Sequence, residues 1–359
     1  MTTLKAPFPY FGGKSKIAPR VWEAFGDIKN YVEPFFGSGA CLLAAPWPAD
    51  RIETVNDKDG MVSNFWRALQ KDPEQVAHFA DWPVNENDLH ARHYWLTQQR
   101  ESLQAKLEGD PEYCDTKIAG WWVWGICAWI GREFCNSPGP WVVRDGELIN
   151  TKDGDGISRY LPHLGNAGRG INRILPHLGD AGQGIKDYFT ALAERLRRVR
   201  ICCGDWSRVV GPSVTFKHGL TGVFLDPPYS DMASRSEVYS TEDLSVAHKV
   251  REWAIANGDN PLMRIVLCGY EGEHNMPDDW TVTEWSANGG YDGQRKNGKN
   301  NNKHRERLWL SPHCLKEKDL FSFQNAYLEA TKGVEAVSKR SGVLDCLETE
   351  KRSVRSRKG

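Results

Sequence analysis

The segment Val223-Phe224-Leu225-Asp226-Pro227-Pro228-Tyr229 constrains the fold more than any other stretch of the chain. Three apolar residues predict a buried strand, and two prolines end it, because proline cannot donate a hydrogen bond to a neighbouring strand. Asp226 therefore stands at the carboxyl end of a buried strand, where open α/β sheets bind ligands. The stiff turn presents a carboxylate, backbone carbonyls and an aromatic ring together. A strand-ending turn without a catalytic role can have the same sequence, so evidence from the rest of the chain is needed to distinguish a catalytic turn from a structural one.

The overall composition excludes some classes of protein. The 359 residues suffice for one large α/β domain with an insertion or for two domains. A formal net charge of -1 gives no general attraction for nucleic acid, so such binding requires local basic patches. Nine cysteines without a Cys-x-x-Cys pair, no secretory signal pattern in Met1 to Lys14 and no long apolar run predict a reduced, cytoplasmic chain without a membrane span.

A second strand is predicted to end in a glycine turn. Tyr31 and Val32 lead into Glu33-Pro34-Phe35-Phe36-Gly37-Ser38-Gly39, and a helix is predicted from Ala40 to Ala45. Glycines at such a turn let a ligand approach the backbone. The next strand, Arg51 to Val55, ends in Asn56-Asp57, and an acidic residue about twenty positions after a glycine turn typically accepts hydrogen bonds from ribose hydroxyls. The alternative role of Asp57 is the N-cap of a helix from Met61 to Leu69.

The early segment Tyr10-Phe11-Gly12-Gly13-Lys14-Ser15-Lys16 contains a Gly-Gly-Lys-Ser core, but it does not form a phosphate loop. Phe8 stands where that motif requires its first glycine, and no buried strand precedes it. Two interpretations stay open: a turn whose ring and ammonium suit a ligand with a flat face and a carboxylate, or an ordinary surface turn. A helix over Ile17 to Phe25 is predicted to follow.

The middle of the chain, from about Pro73 to Gln183, shows no strand pattern. Helices are predicted over His78 to Leu107 and over Ile118 to Ile130, and the second is apolar on all faces and therefore buried. The turn-rich loop that follows offers Arg132 and Asn136 as polar contacts.

A tandem repeat lies beyond this loop. Leu161 to Ile171 recurs as Leu175 to Ile185, a period of 14 residues. A duplicated surface loop is favoured over a polar arm that follows a groove, since loops tolerate insertion at small entropic cost. Its two histidines, His163 and His177, have no third ligand nearby, so no metal site is expected.

Sheet patterns return in the last third of the chain. We predict helices over Ile185 to Val199 and Leu244 to Ala256, and strands over Val199 to Cys203, Arg264 to Cys268, Trp280 to Trp285 and Arg307 to Leu310. Asp205 repeats the position of Asp57 at a strand end. A basic loop between the last two strands is either a solvated face or a phosphate contact; its candidate DNA-binding residues are Arg295, Lys296, Lys299, Lys303 and Arg305.

The order of glycine turn, acidic strand ends and Asp-Pro-Pro-Tyr resembles the Dam-like DNA adenine methylases, which transfer a methyl group from S-adenosylmethionine to N6 of adenine. The resemblance rests on Tyr10 to Lys14, Val32 to Gly39, Asn56-Asp57 and Asp226 to Tyr229, with weaker support from Asn288-Gly289-Gly290. It implies an α/β fold: a Rossmann-like, mostly parallel sheet with one antiparallel late strand and an inserted, largely helical or loop recognition region.

The resemblance also implies domains and roles. Residues 1–80 and 188–314 would form the cofactor-binding and catalytic parts, 81–187 the inserted target-recognition region, and 315–359 a charged, disordered tail. Gly37 to Gly39 would accommodate the methionine part of the cofactor, Asp57 its ribose and Asp205 its adenine. The complete set implied to contact S-adenosylmethionine is Tyr10, Phe11, Gly12, Gly13, Lys14, Glu33, Pro34, Phe35, Gly37, Ser38, Gly39, Asp57, Asp205 and Asp226.

The predicted chemistry uses Asp226, Pro227, Pro228 and Tyr229. The lone pair of the adenine amine is delocalised into the ring, so Asp226 and the carbonyl of Pro227 would each accept one amino hydrogen while Tyr229 stacks on the base. We expect DNA as the partner, no metal and a monomer. The alternatives are methylation of cytosine N4 or of RNA, and a catalytically silent nucleic-acid-binding protein. Relatives that act on cytosine more often have Ser where Asp226 stands, which argues against cytosine N4. Intact Asp226 to Tyr229 together with an intact glycine turn argues against the silent binding protein, which would need neither.

Overall fold

The protein is described by a computed structural model that covers residues 4–10, 13–46, 50–129, 134–135, 141–144, 147–150, 184–228, 241–284 and 306–316. The described helices and strands lie in one unit, Met1–Cys314, and Leu315–Gly359 is a second unit. The helices are α1 (Ala18–Phe25), α2 (Ala40–Leu43), α3 (Gly60–Lys71), α4 (Pro73–Ala80), α5 (Glu86–Gly109), α6 (Thr116–Ala128), α7 (Ile185–Leu196) and α8 (Thr241–Gly258). The strands are β1 (Asn30–Glu33), β2 (Ile52–Asp57), β3 (Trp141–Arg144), β4 (Glu147–Asn150), β5 (Val199–Cys203), β6 (Thr221–Leu225), β7 (Met263–Tyr270), β8 (Thr281–Glu284) and β9 (Glu306–Leu310).

A seven-stranded sheet with the order β5-β2-β1-β6-β7-β9-β8 organises the described residues. The first five strands in that order are parallel, and β9 runs antiparallel to both of its neighbours. The predicted Rossmann-like sheet with one antiparallel late strand is therefore confirmed. Since β1 pairs with β2 on one side and β6 on the other, the order of strands reverses between β1 and β6. Ligands of such sheets bind at the carboxyl ends of the strands beside this switch point.

Helices cover both faces of the sheet, as a parallel sheet requires. Side chains of α1, α3, α4, α6 and α7 form the larger apolar core on one face. Residues of α8 and of the segment 206–214 form a second core on the other face. The central strand β6 is buried along its whole length, which is why its sequence is continuously apolar rather than alternating.

The inserted helices pack closely against the rest of the unit. α6 contacts α3 and α4, and its Trp122 and Trp124 are almost fully buried, which confirms the prediction of a buried aromatic helix. The single helix predicted from His78 to Leu107 is wrong, because α4 ends at Ala80 and α5 begins at Glu86. Pro83 interrupts the helical pattern, and Asn85 caps α5 by accepting hydrogen bonds from the backbone N–H groups of Asn87 and Asp88.

The expectation that no strands occur between Pro73 and Gln183 is also wrong. β3 and β4 pair as an antiparallel ribbon, with Trp141 opposite Asn150. The dipeptide Asp145-Gly146 stands between two β-prone runs, and this is a strong sequence signal for a two-residue hairpin turn. The other predicted helices and strands agree with the structure to within a few residues. Among the helices that the structure describes, none has both the length and the apolar composition of a membrane span.

Candidate active site

Asp226 forms an ion pair with Lys14 at the carboxyl end of β6. The Lys14 Nζ atom lies 2.9 Å from Asp226 Oδ1, and the two side chains are 6% and 19% exposed. Lys14 is placed there because its backbone carbonyl accepts hydrogen bonds from the N–H groups of Ile17 and Ala18 at the start of α1. Pro227 follows directly and is buried. The buried ammonium of Lys14, from a segment near the amino terminus, thus anchors the Asp226 end of the turn that the two prolines predict.

The surroundings of Lys14 favour its charged form. Burial lowers the pKa of the ammonium, but the negative charge of Asp226 and smaller effects of Cys268 and Glu306 outweigh burial, so the pKa is raised above its ordinary value. Cys268 lies on β7 and Glu306 begins β9, and both are buried. Neither residue was predicted from the sequence, because no local pattern shows that a strand residue lies near a charged side chain from a distant segment.

The glycine turn after β1 has the backbone conformation that its sequence predicts. Gly37 and Gly39 have φ angles of +48° and +69°, in the left-handed region that favours glycine. A Cβ atom at Gly37 would lie 2.7 Å from Cδ1 of Tyr10, so the Tyr10 ring packs directly on this turn. Trp66 of α3 donates a hydrogen bond from Nε1 to the carbonyl of Gly37 at 2.8 Å. The turn is therefore fixed from two sides.

Asp57 lies at the end of β2, and backbone amides hold its carboxylate. The N–H of Gly37 donates to Oδ2 and the N–H of Asp59 to Oδ1, both at 2.8 Å. Burial, with the nearby charge of Asp59, raises the pKa of Asp57 to about 7 despite these hydrogen bonds. The alternative role of Asp57 as the N-cap of the next helix is wrong: Asp59 caps α3 by accepting a hydrogen bond from the N–H of Met61.

Asn56 connects three strand ends. Its Nδ2 donates to the carbonyls of Pro34 and Gly204, and its own carbonyl accepts from the N–H of Phe36. Asn56 is 1% exposed, and its Oδ1 atom has no hydrogen-bond partner within the described residues. The residue belongs to the Asn56-Asp57 motif, yet no role of its own could be predicted for it from the sequence. It joins the ends of β1, β2 and β5 into one rim.

Asp205 is more exposed than Asp57 and caps a short 3-10 turn, Trp206–Val209. Its Oδ1 accepts hydrogen bonds from the backbone N–H and the hydroxyl of Ser207. Slight burial raises the pKa of Asp205, but the hydrogen bonds from Ser207 outweigh it and hold the pKa below its ordinary value. Beside it, the rings of Trp206 and Phe35 stack with their centroids 6.3 Å apart. Trp206 is buried in the second core, so of these two rings only that of Phe35 is partly exposed beside the Asp205 carboxylate.

Glu33 ends β1 and lies in the interior. The side chain is 3% exposed, and the hydroxyl of Tyr31 donates to its Oε2 at 2.8 Å. Burial raises the pKa of Glu33 well above its ordinary value; the hydrogen bond from Tyr31 opposes this, and the charges of Asp226 and Asp57 add to it. Glu33 is therefore held toward its neutral form, close enough to Asp226 and Asp57 for their charges to affect its pKa.

The structure brings together most of the predicted cofactor-binding positions that it describes. Strand ends and the early segment place Tyr10, Gly13, Lys14, Glu33, Pro34, Phe35, Gly37, Ser38, Gly39, Asp57, Asp205 and Asp226 around the carboxyl edge of the sheet. Other predicted positions lie outside the described residues: Phe11, Gly12, Tyr229, Arg132, Asn136, Arg295, Lys296, Lys299, Lys303 and Arg305, together with most of the tandem repeat and all of the tail beyond residue 316. Within the ranges described, no group of three or more His, Cys, Asp or Glu side chains is arranged to hold a metal ion.

Residues 10–115 match the family model described as D12 class N6 adenine-specific DNA methyltransferase. This match confirms the resemblance to the Dam-like adenine methylases and indicates an adenine-specific DNA methyltransferase. A comparison with curated proteins gave no match. The matched range contains Lys14, the glycine turn and Asp57, whereas Asp205 and Asp226 lie beyond it. The ion pair between Lys14 and Asp226 therefore connects the matched part of the chain to the predicted catalytic turn.

Proposed function

Taking the protein as the adenine-specific DNA methyltransferase that this match indicates, we propose that it transfers the methyl group of S-adenosylmethionine to N6 of an adenine turned out of the DNA duplex. The observation that carries the proposal is the position of Asp226. It follows the central parallel strand, is braced by Lys14 and stands across the switch point from the glycine turn. Catalytic carboxylate and cofactor turn thus face the same crevice.

Asp226 acts as a hydrogen-bond acceptor for the adenine amine. Accepting one amino hydrogen shifts electron density toward N6 and stabilises the positive charge that develops there during transfer. The carbonyl of Pro227 accepts the other hydrogen. Lys14 pairs with the carboxylate and orients it, so that it does not reorganise when the base arrives.

Several residues of the rim fit the cofactor. The carboxylate of Asp57 is fixed by two backbone amides and still has acceptor capacity for ribose hydroxyls. The buried Asn56 Oδ1, without a partner among the described residues, marks polar capacity beside the same crevice. Phe35, whose ring is partly exposed and stacks on the buried Trp206, offers an aromatic face next to Asp205 for a flat base. S-adenosylmethionine would supply a methyl group already activated on a sulfonium, so the residues of the chain have to position and polarise the amine.

The target base has to leave the duplex, because its amine cannot be reached inside the base stack. Extrusion costs a few kcal/mol, which stacking on Tyr229 and phosphate contacts from the basic loop would offset. Tyr229 and the basic loop lie outside the described residues, so their support for the proposal comes from the sequence alone.

The test is transfer of labelled methyl from S-adenosylmethionine to DNA by the full chain. We expect label on N6 of adenine, and a loss of at least about 100-fold in the Asp226→Ala variant, since that change removes the acceptor. Asp259→Ala is the matched control, because the Asp259 side chain is 99% exposed and far from this chemistry in the fold. Wild-type activity in the Asp226→Ala variant would contradict the role of Asp226. Label on cytosine or in RNA, but not on adenine in DNA, would support the alternative amino-methyltransferases instead.

A further inference from the structure

Glu33 ends β1, the strand at the switch point, between the carboxyl ends of β2 and β6. In the register of the sheet it lies opposite Val55, two residues before Asp57. On its other side it is level with Phe224, two residues before Asp226. Side chains two residues apart on a strand share a face of the sheet, and the charges of both aspartates act on the pKa of Glu33. Carboxyl groups from three neighbouring strands therefore lie together on one face of the sheet, at its carboxyl edge.

The groups that contact the Glu33 carboxyl group are uncharged. The hydroxyl of Tyr31 donates to Oε2 at 2.8 Å, and the backbone N–H of Leu42 also donates to the carboxyl group. Burial raises the pKa of the Tyr31 hydroxyl and of the neighbouring Cys41 thiol well above their ordinary values, so both stay neutral. Glu33 is 3% exposed, and burial likewise favours its neutral form in the protein without ligand.

Two cationic side chains lie near this carboxyl group, and each already has an acidic partner. Lys14 pairs with Asp226. Arg195 of α7 donates to the carbonyl of Leu42 and binds both oxygens of the Glu53 carboxylate, at 2.7 and 2.9 Å. Neither charge is therefore available to ionise the buried acid, whereas a cationic ligand in the crevice would be.

We propose that Glu33 makes the site specific for the charge of its cofactor. It gives up its carboxyl proton to solvent when cationic S-adenosylmethionine binds, and it retains the proton when S-adenosylhomocysteine binds, whose sulfur is an uncharged thioether. The inference rests on the proposed function. A positive charge close to a buried carboxyl group favours the ionised form, and the ionised Glu33 in turn attracts the sulfonium.

The consequence is a site that binds the methyl donor more tightly than the product. Once the methyl group has been transferred, the charge on the sulfur is gone and Glu33 takes a proton back from solvent. The attraction is then lost, so the product is released more readily than the methyl donor.

The experiment measures proton release by calorimetry of the full chain without DNA, in buffers of different ionisation enthalpy. The ligands are S-adenosylmethionine, S-adenosylhomocysteine and sinefungin, in which a carbon with a protonated amine replaces the methylated sulfur. We expect the two cationic ligands to release about half a proton or more beyond what S-adenosylhomocysteine releases. Sinefungin separates the effect of the charge from that of the methyl group.

Glu33→Gln has the shape of the neutral carboxyl group but no proton to lose. It should abolish the difference in proton release and lower the preference for S-adenosylmethionine over S-adenosylhomocysteine from about 10-fold to about 2-fold or less. The wild-type preference should rise between about pH 6 and pH 8, because rising pH favours binding that releases a proton. Tyr31→Phe removes the donor that stabilises the ionised carboxylate, so its preference should be intermediate.

Asp205→Asn is the matched control. It also removes a carboxylate at the rim, but one proposed to meet the adenine ring, which all three ligands share. Their affinities should fall by the same factor, while the preference and the difference in proton release stay unchanged.

Equal proton release with S-adenosylmethionine and S-adenosylhomocysteine in the wild type would overturn the inference. An unchanged preference in a folded Glu33→Gln variant would do the same, and Tyr31→Phe with the wild-type preference decides the question where Glu33→Gln does not fold. A preference that Asp205→Asn lowers as much as Glu33→Gln would also overturn it. A wild type that binds none of the three ligands would instead contradict the proposed function.

Discussion

Two strand-end carboxylates at the same edge of the sheet are held in different ways. Asp226 pairs with a buried ammonium, that of Lys14. Asp57 is held by the backbone N–H groups of Gly37 and Asp59, and the neighbouring charge that affects its pKa most is the negative charge of Asp59. A full positive charge lies 2.9 Å from the first carboxylate, whereas burial raises the pKa of the second to about 7.

This difference matches the two roles proposed for these carboxylates. A group that stabilises developing positive charge on an amine needs its electrostatic support in place before the base arrives, and the Lys14 ammonium is built into the fold beside Asp226. A group that accepts hydrogen bonds from hydroxyls needs correct orientation above all, and backbone amides supply that because they cannot rotate away. The comparison predicts that substitutions around Asp226 change the local charge and lower methyl transfer. Substitutions around Asp57 are expected to change the shape of the cofactor site, the affinity for the cofactor and the pH dependence of that affinity.

The largest effect is expected from Lys14→Met. Breaking a buried ion pair by removing one partner typically costs several kcal/mol, and the partial exposure of Asp226 reduces this to about 3 kcal/mol of unfolding free energy. Methyl transfer should fall by at least about 100-fold, because the carboxylate loses its orientation. Urea unfolding and labelled-methyl transfer measure the two losses.

A double variant tests the cause of that loss. Lys14→Met combined with Asp226→Asn removes both charges, so it should recover much of the stability while activity stays low. If the double variant were as unstable as the sum of the two single changes, the ion pair would not be the interaction that holds this turn, and the contrast with Asp57 would disappear.

The next effect is expected from Gly37→Ala, on the side of Asp57. A side chain at φ +48° costs about 1 to 2 kcal/mol, and the new Cβ would lie 2.7 Å from the Tyr10 ring, so we expect a loss of about 2 to 3 kcal/mol in unfolding free energy. Because the N–H of Gly37 orients Asp57, cofactor affinity should fall as well. Unfolding and calorimetric titration test both expectations.

Gly211→Ala is the control for this substitution. Gly211 lies in a turn where a Cβ atom would meet nothing within 4 Å, so its replacement should leave stability and cofactor affinity close to those of the wild type. Equal losses in the two variants would show that the Gly37 turn imposes no special conformational demand.

The same contrast shows what the sequence could predict. The position of Asp226 could be predicted, because a buried apolar run followed by two prolines fixes where the strand ends. Its pairing with Lys14 could not, since the ion pair depends on how a segment near the amino terminus folds over a strand far along the chain. Asp57 and Asp59 are both acceptable N-cap residues, and the sequence does not decide which one caps α3.

The inserted region was harder to predict for a different reason. The break at Pro83 is a local proline signal, but the contacts of Arg100 with Asp59 and Cys135 depend on packing between distant segments and have no signature in the periodicity. The β3–β4 ribbon is an exception, because Asp145-Gly146 is a local signal that predicts it. Local turn chemistry could be read from the sequence, whereas contacts between distant segments could not.

The smallest effect is a pH dependence of cofactor affinity that originates at Asp57. With a pKa of about 7, Asp57 is mostly protonated at pH 6 and mostly ionised at pH 8 in the protein without cofactor. Ribose hydroxyls donate to the ionised form, so affinity for S-adenosylhomocysteine should rise between pH 6 and 8, by up to about 10-fold, and level off above.

Calorimetry in buffers of different ionisation enthalpy measures the number of protons released when S-adenosylhomocysteine binds. The Asp57→Asn substitution should abolish the proton release that is due to Asp57. Protons that the ligand itself gains or loses are the same in both titrations, so the difference between wild type and variant removes their contribution. The linked effect on stability has a definite sign. Because the pKa is raised in the folded protein, the contribution of Asp57 is fully present below about pH 4 and is lost as pH rises through 7. Relative to wild type, Asp57→Asn should therefore be more stable at pH 8 than at pH 5, and the opposite order would contradict a neutral-range titration of Asp57.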